Sequence, residues 1–417
     1  MKILWITNMP LPEIAKRIGI NSVLGGWLVA LSERLRSDPN IELIYCFPQK
    51  RTSVLLHKHL DNIIYYGFPE KLESNEYNDK LEGIFFEIYE REKPDIIHIF
   101  GTEYPHTLAA IQSGLDLKKT VISIQGLVSV IAQHYCVGIP YFDQNFPCFD
   151  SKNGIRTIYK EKLEFVIKGE REKQVLRKGI NFEGRTDFDQ ANIIIQNPTA
   201  RYFKCNRILR QEFYKHKWEL SRCERNSIFL SQASYPVKGF HVFLEALSML
   251  KKIGITAKTY IGGTDILAST YDSAYPYAIY IKKLINKFDL KDNIIFLGSL
   301  NEQKICSQYL KTHVFVSASV IENAPNSLGE AMILGVPSIA SDVGGVSNML
   351  LHGVEGYIYR ADAPYLLAYY LYHIMTDDKL AVNFSQNGRK RARELYNINT
   401  NIKSVMDMYK AIIKEKI

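Results

Sequence analysis

Two glutamates, Glu322 and Glu330, stand eight positions apart in "IENAPNSLGEAMILGVP" with no other charge between them. Val314 to Ile321 is apolar and β-branched enough to form a strand, and Ser327 to Leu334 reads as a short helix stopped by Gly335 and Pro337. Glu322 then lies at the carboxyl end of the strand and Glu330 in the first turn of the helix. The modest chemistry open to this pattern is a capping box, in which Ser327 and Glu330 satisfy orphan amides of the helix start. The richer one follows from the helix N-terminus, whose unpaired N–H groups and partial positive charge favour phosphate. A carboxylate repels phosphate, so two of them there need partners that donate hydrogen bonds. Vicinal hydroxyls of a ribose and of a hexose are such partners. The pattern therefore suits a nucleotide sugar: a diphosphate on the amides of Asn326, Ser327 and Leu328, with one glutamate on the sugar at each side.

The elements that must position these residues are strands and helices in alternation. Strand candidates are "KILWIT", "IELIYCF", "DIIHIF", "TVISI" and "NIIIQ", then "SIFLS", "TAKTYIGG", "NIIFLG", "VFVSAS" and "PSIAS". Amphipathic stretches such as "WLVALSERLR" and "HVFLEALSML" separate them, a pattern of parallel sheets covered on both faces. With 417 residues the chain exceeds one ordinary core. The polar stretch 197–226, read as free of strands, divides an N-terminal domain, 1–196, from a C-terminal domain, 227–395. The tail 396–417 reads as an amphipathic helix returning to the first domain. Two doubly wound domains imply a cleft, with ligands beyond the carboxyl ends of the strands. On that rule Lys238, Glu103, His106 and Gln125 all lie on ligand-facing loops. His98, inside an apolar strand, is expected to be a satisfied core histidine. Thr186 and Asp189 are expected to cap a helix.

"ENAPNSLGE" followed by "AMILGVPSIASDVGG" resembles the E-x7-E region of retaining glycosyltransferases of the GT-B fold, family 4 in particular. The resemblance extends to "PVKGFHVFLEAL", to "YIGGTD" with Gly263, to "NIIFLGSL", and to the glycine pair Gly25–Gly26. It implies an α/β fold of two Rossmann-like domains facing each other across a cleft. It implies a retaining, metal-independent transfer of a hexose-type sugar from a UDP-, GDP- or ADP-sugar, with no other cofactor. Carried over by position, Glu330 holds the ribose hydroxyls, Glu322 the hexose hydroxyls, and Lys238 the departing diphosphate. Gly26, Gly263, Asn326, Ser327 and Leu328 complete the donor side, and Glu103, His106 and Gln125 form an acceptor side. The acceptor implied is a glycan or a lipid-linked glycan precursor of a cell-surface polysaccharide. The pattern is incomplete: where the family has an arginine before its lysine this chain has Ala233 and Ser234, and Gln125 replaces a histidine. A nucleotide-sugar epimerase and a catalytically weak sugar-nucleotide-binding subunit are the alternatives.

The bulk properties narrow the class. At 46% hydrophobic and 23% charged residues the composition is that of a globular enzyme. No apolar run reaches the ~18–20 residues of a membrane span, and a cytoplasmic location is expected. Six cysteines without C-x-x-C spacing argue against zinc or disulfides. The net charge of +8 is concentrated in 151–179, with nine Lys/Arg against four Glu. This segment is expected either to be a solvated helix or to touch anionic lipid from the inner face of the membrane. No nucleic-acid-binding module is recognisable.

Overall fold

A computed structural model describes residues 1–19, 26–49, 55–60, 63–69, 76–150, 154–268 and 275–414. Its strands, in chain order, begin with β1 (Lys2–Ile6), β2 (Glu42–Gln49), β3 (Leu56–Leu60), β4 (Ile63–Pro69), β5 (Ile96–Phe100) and β6 (Thr120–Ser123). A short hairpin, β7 (Cys148–Asp150) and β8 (Gly154–Arg156), precedes β9 (Asn181–Gly184) and β10 (Arg201–Lys204). The remainder are β11 (Glu224–Leu230), β12 (Lys258–Ile261), β13 (Ile294–Phe296), β14 (Thr312–Ser317), β15 (Ser338–Ser341) and β16 (Tyr357–Tyr359). The chain divides into two compact units: residues 1–130, 164–208 and 397–417 form the first, and 131–163 with 209–396 the second.

The first unit is built on an eight-stranded sheet in the order β10-β9-β6-β5-β1-β2-β4-β3. All neighbours are parallel except β3, which pairs antiparallel with β4. Its central strands are buried on both faces, which explains why "ILWI" reads as an unbroken apolar run and "IIHIF" is interrupted by His98 alone. The edge strand "LHKHL" keeps His57, Lys58 and His59 exposed, the kind of residues that discourage edge-to-edge pairing. The helix Ile398–Lys414 belongs to this unit: Val405, Met408, Tyr409 and Ile412 join its core. The Tyr409 hydroxyl meets Nδ1 of His98 at 2.7 Å, and Ser123 Oγ meets its Nε2 at 2.6 Å. His98 is fully buried and satisfied, as the sequence indicated.

The second unit has a six-stranded parallel sheet, β13-β12-β11-β14-β15-β16. In terms of the unit's own strands this is the order 3-2-1-4-5-6 of the doubly wound nucleotide-binding fold. The strand order reverses between β11 and β14, and there the loops leaving two adjacent strands turn apart and leave a crevice at their carboxyl ends.

Several sequence expectations give way. "NIIIQ" is the end of a helix, Asp187–Gln196, begun by a capping box of Thr186 and Asp189. Its short apolar run fits a helix face as well as a strand, and length alone did not separate the two. The stretch 197–226 does contain a strand, β10, on the edge of the first sheet. The units part at 208/209, and 131–163 belongs with the second unit rather than the first. Strand β14 ends at Ser317, four residues before Ile321, so Glu322 stands on a loop and not on a strand end.

Candidate active site

The loop 318–325 begins where β14 ends, on one side of the strand-order reversal, and the segment from Ser231 to Gly239 begins where β11 ends, on the other. The two are stitched together by a hydrogen bond from Val320 N to Val237 O at 2.9 Å. Close backbone approach is built in. Gly239 has φ +63°, and a Cβ there would lie 1.9 Å from the Ala318 carbonyl oxygen. Gly344, in the loop after β15, has φ +54°, and a Cβ there would lie 1.6 Å from the Glu322 carbonyl oxygen. Only glycine fits either position. Gly345 N closes the arrangement on Asn323 O at 2.9 Å.

This framework brings Lys238 and Glu322 together. The Lys238 ammonium donates to Glu322 Oε1, which also accepts from Ser319 Oγ at 2.9 Å. Their side chains are 20% and 17% exposed, so the pair is sheltered yet reachable. Burial would lower the Lys238 pKa, but the Glu322 carboxylate and the Tyr235 hydroxyl together outweigh it and the pKa is raised. Lys238 is therefore a fixed cation at the crevice, with its ammonium 5.6 Å from the Tyr235 ring centroid.

The helix that follows spans Asn326–Leu334, with Pro325 as N-cap, and no side chain caps it. The capping box expected from Ser327 and Glu330 is absent: the helix starts one residue earlier, and Glu330 is engaged elsewhere. Its Oε1 accepts from Arg210 Nε at 3.0 Å and from Arg210 Nη2 at 2.7 Å. Burial raises the Glu330 pKa and Arg210 opposes the shift. Arg210 was not singled out in the sequence, since it lies 120 residues away in a polar stretch without a motif. Asn326 and Ser327 are half-buried at the helix start, and Leu328 is buried behind them. Leu328 N donates back to Pro325 O at 3.1 Å, and the positive end of the helix dipole at this terminus favours an anion. Gly263, after β12, has φ +89° and bridges to Gly298, its N–H donating to Gly298 O at 2.9 Å.

The residues expected on the acceptor side belong to the first unit. Glu103 follows β5 and Gln125 follows β6, two adjacent strands. Burial, reinforced by the nearby Glu172 carboxylate, pushes the Glu103 pKa up to about 7. His106 does not face a ligand. It is 0% exposed in the helix Pro105–Gln112, its ring stacked on Tyr104 at 5.3 Å and edge-on to Phe68. A helix that packs its first turn into the core explains the difference. Gly26 opens the helix Gly26–Arg36; its partner Gly25 and the residues before it lie outside the described residues. Among the described residues no group of three or more His, Cys, Asp or Glu could hold a metal ion. No described helix is long and apolar enough to cross a membrane.

Comparison with known proteins agrees with this architecture. Residues 212–391 match the family model of Glycosyl transferases group 1. The capsular polysaccharide biosynthesis glycosyltransferase CapM of Staphylococcus aureus is 24% identical over 179 residues, 43% of this chain and 44% of that protein. The chain spans half the length or less, 34% to 49%, of the curated relatives it matches. Sucrose-phosphate synthase from Thermosynechococcus elongatus superposes over 100% of both chains with a TM-score of 0.66 at 16% identity. Anabaena HepE in complex with UDP-glucose superposes over 99% of this chain and 100% of its own, with a TM-score of 0.66 at 13% identity. The chain therefore has the GT-B fold, and the stretch 212–391 within its second unit is similar to the glycosyl transferases group 1 family.

Proposed function

We propose that the protein is a retaining, metal-independent glycosyltransferase of family 4. It moves a hexose-type sugar from a UDP-, GDP- or ADP-sugar to a hydroxyl of a glycan or lipid-linked acceptor, in the synthesis of a surface polysaccharide. The observation that carries this reading is the Lys238–Glu322 pair at the strand-order reversal, beside the helix N-terminus at Asn326. Two similar proteins point the same way: CapM is a capsular polysaccharide biosynthesis glycosyltransferase, and the structural neighbour HepE was solved with UDP-glucose. No relative or structure reported above is an epimerase.

The groups divide the work. The amides of Asn326, Ser327 and Leu328 receive the diphosphate, while Gly26 and Gly263 let backbone approach the donor. Glu322 accepts hydroxyls of the hexose and Glu330 those of the ribose. As the anomeric C–O bond breaks, negative charge grows on the leaving phosphate, and Lys238 with the helix amides stabilises it. The acceptor oxygen forms its bond on the same face, and its proton passes to the leaving phosphate oxygen. Glu103 and Gln125 hold the acceptor hydroxyl. Contact with an anionic membrane surface runs through 151–179, where the helix Ile158–Lys178 exposes Leu163, Val166 and Ile167 beside Lys160, Lys162 and Lys168.

The test begins with a thermal-shift screen of UDP-, GDP- and ADP-sugars. A ligand at a hundredfold its dissociation constant stabilises by about 2.7 kcal/mol. The stabilising donor is then incubated with acceptors, and the product's anomeric configuration is read by NMR. Retained configuration, unaffected by a chelator, is expected. An inverted product, or no donor that binds, overturns the proposal. Sedimentation with phosphatidylglycerol vesicles checks the membrane contact, which fails if the protein stays in the supernatant at low salt.

A further inference from the structure

We propose that Arg210 is a positioning residue that makes the site read a ribose diol, by anchoring Glu330 through a single oxygen. The inference rests on the reading that this crevice binds a nucleoside diphosphate, and adds a residue from outside the matched domain, which begins at 212. Both Arg210 nitrogens, Nε and Nη2, donate to the same atom, Glu330 Oε1. Arg210 thus grips the carboxylate by one oxygen, and the Tyr309 hydroxyl also hydrogen-bonds the carboxylate.

Arg210 is itself held firmly. Its guanidinium lies 4.7 Å from the centroid of the Phe213 ring, and Phe213 is fully buried against Tyr309. The backbone beside it is tied down where Leu209 N donates to Tyr214 Oη at 3.1 Å, and Tyr214 Oη donates to Tyr396 O at 2.8 Å. The loop before residue 212 is therefore fastened to the rest of the second unit, and the guanidinium arrives already oriented.

The chemical need is specific. Glu330 is only 9% exposed, and a carboxylate sheltered to that degree tends to take up a proton. A protonated carboxyl has lost acceptor capacity and reads a vicinal diol poorly. A guanidinium with no proton to give up at any working pH favours the anionic form, which accepts from both ribose hydroxyls. Removing Arg210 should therefore weaken recognition of the ribose and leave recognition of the phosphates intact. A merely structural arginine would do neither selectively.

The experiment uses the full chain and calorimetric titration with UDP, GDP and ADP, each beside its 2′-deoxy counterpart, and with inorganic pyrophosphate. The wild-type protein should prefer the ribonucleotide it binds by about tenfold or more, the worth of one charge-assisted hydrogen bond. Arg210→Met should cut that preference to threefold or less while pyrophosphate affinity and the circular dichroism spectrum stay unchanged. Arg210→Lys, which keeps the charge but not the two-nitrogen grip, should fall between. A full preference retained in Arg210→Met overturns the inference, as does an equal loss for pyrophosphate. Should Arg210→Met fail to fold, Arg210→Lys decides: an undiminished preference overturns it. Wild-type protein that binds a diphosphate without preferring ribose refutes the inference alone. Wild-type protein that binds no diphosphate refutes the underlying reading, and the inference with it.

Discussion

The loops at the carboxyl ends of the two sheets treat buried charge in opposite ways. In the second unit, Lys238 meets Glu322 and Arg210 meets Glu330, so each carboxylate has its cation in place. In the first unit, Glu103 Oε2 and Gln125 Nε2 are buried with no hydrogen-bond partner among the described residues. Yet the loops that carry them touch, with Thr102 Oγ1 3.4 Å from Gly126 O. The same neighbourhood also holds a fully served carboxylate. Glu172, 0% exposed, accepts from Thr102 Oγ1, Val128 N, Ser129 N and Ser129 Oγ. The chain can thus satisfy a buried acid there when the acid ties loops together. The two atoms left unserved beside it are where the proposed acceptor hydroxyl is expected to bind.

The paired side should fail hardest when a pair is broken. Lys238→Ala is expected to cut turnover by about 10²–10³, the usual cost of one fixed donor at a developing oxyanion, and Glu322→Gln to lower it as well by loosening both the hexose hydroxyls and Lys238. The melting temperature should change by only a few degrees, because both side chains keep some solvent. Steady-state rates and thermal melts check this together. A variant turning over at the wild-type rate removes that residue from the chemistry.

Glu172 should behave as the satisfied acid of the first unit. Glu172→Ala leaves four donors facing an empty space, and about 3 kcal/mol or more of stability should vanish, as read from urea denaturation. Glu103 should do the reverse. Its folded pKa, about 7, lies above the ordinary 4.5. The raised value means that stability is fully present below about pH 4.5 and is lost as the pH climbs to 7. Glu103→Gln should therefore match the wild type near pH 4 and exceed it at pH 8 by at most about 3 kcal/mol. Parallel melting curves that never diverge with pH would show that the carboxyl is not held neutral.

These contrasts were unequally legible in the sequence. The second sheet was readable because parallel strands buried on both faces leave apolar, β-branched cores such as "VFV" within "THVFVS", and because Gly335 with Pro337 ends the helix on schedule. Glu322 and Lys238 followed from their loops. What stayed hidden depends on partners far along the chain. Arg210 reaches Glu330 across 120 positions, with nothing local to announce it. The short strands β9, β10 and β16 hold three or four residues each, too few to show a period. His106 opens a helix as a polar residue should, and only the packing of Phe68 and Tyr104 around it reveals that the ring is core.

The smallest expected effect is also the one that most cleanly tests whether the unserved atoms of the first unit await a ligand. Gln125→Leu removes a buried donor that has no partner and puts an apolar group of similar size in its place. If the amide is only a flaw in packing, the variant gains about 1 kcal/mol in stability and loses nothing else. If the amide holds an acceptor hydroxyl, the same gain appears, but the acceptor KM rises several-fold while donor affinity is untouched. Stability and acceptor affinity must then move in opposite senses, because the energy withheld from the unliganded fold is the energy released when the hydroxyl arrives. An unchanged acceptor KM in a stabilised variant would assign Gln125 to packing, and leave Glu103 Oε2 to be tested by itself.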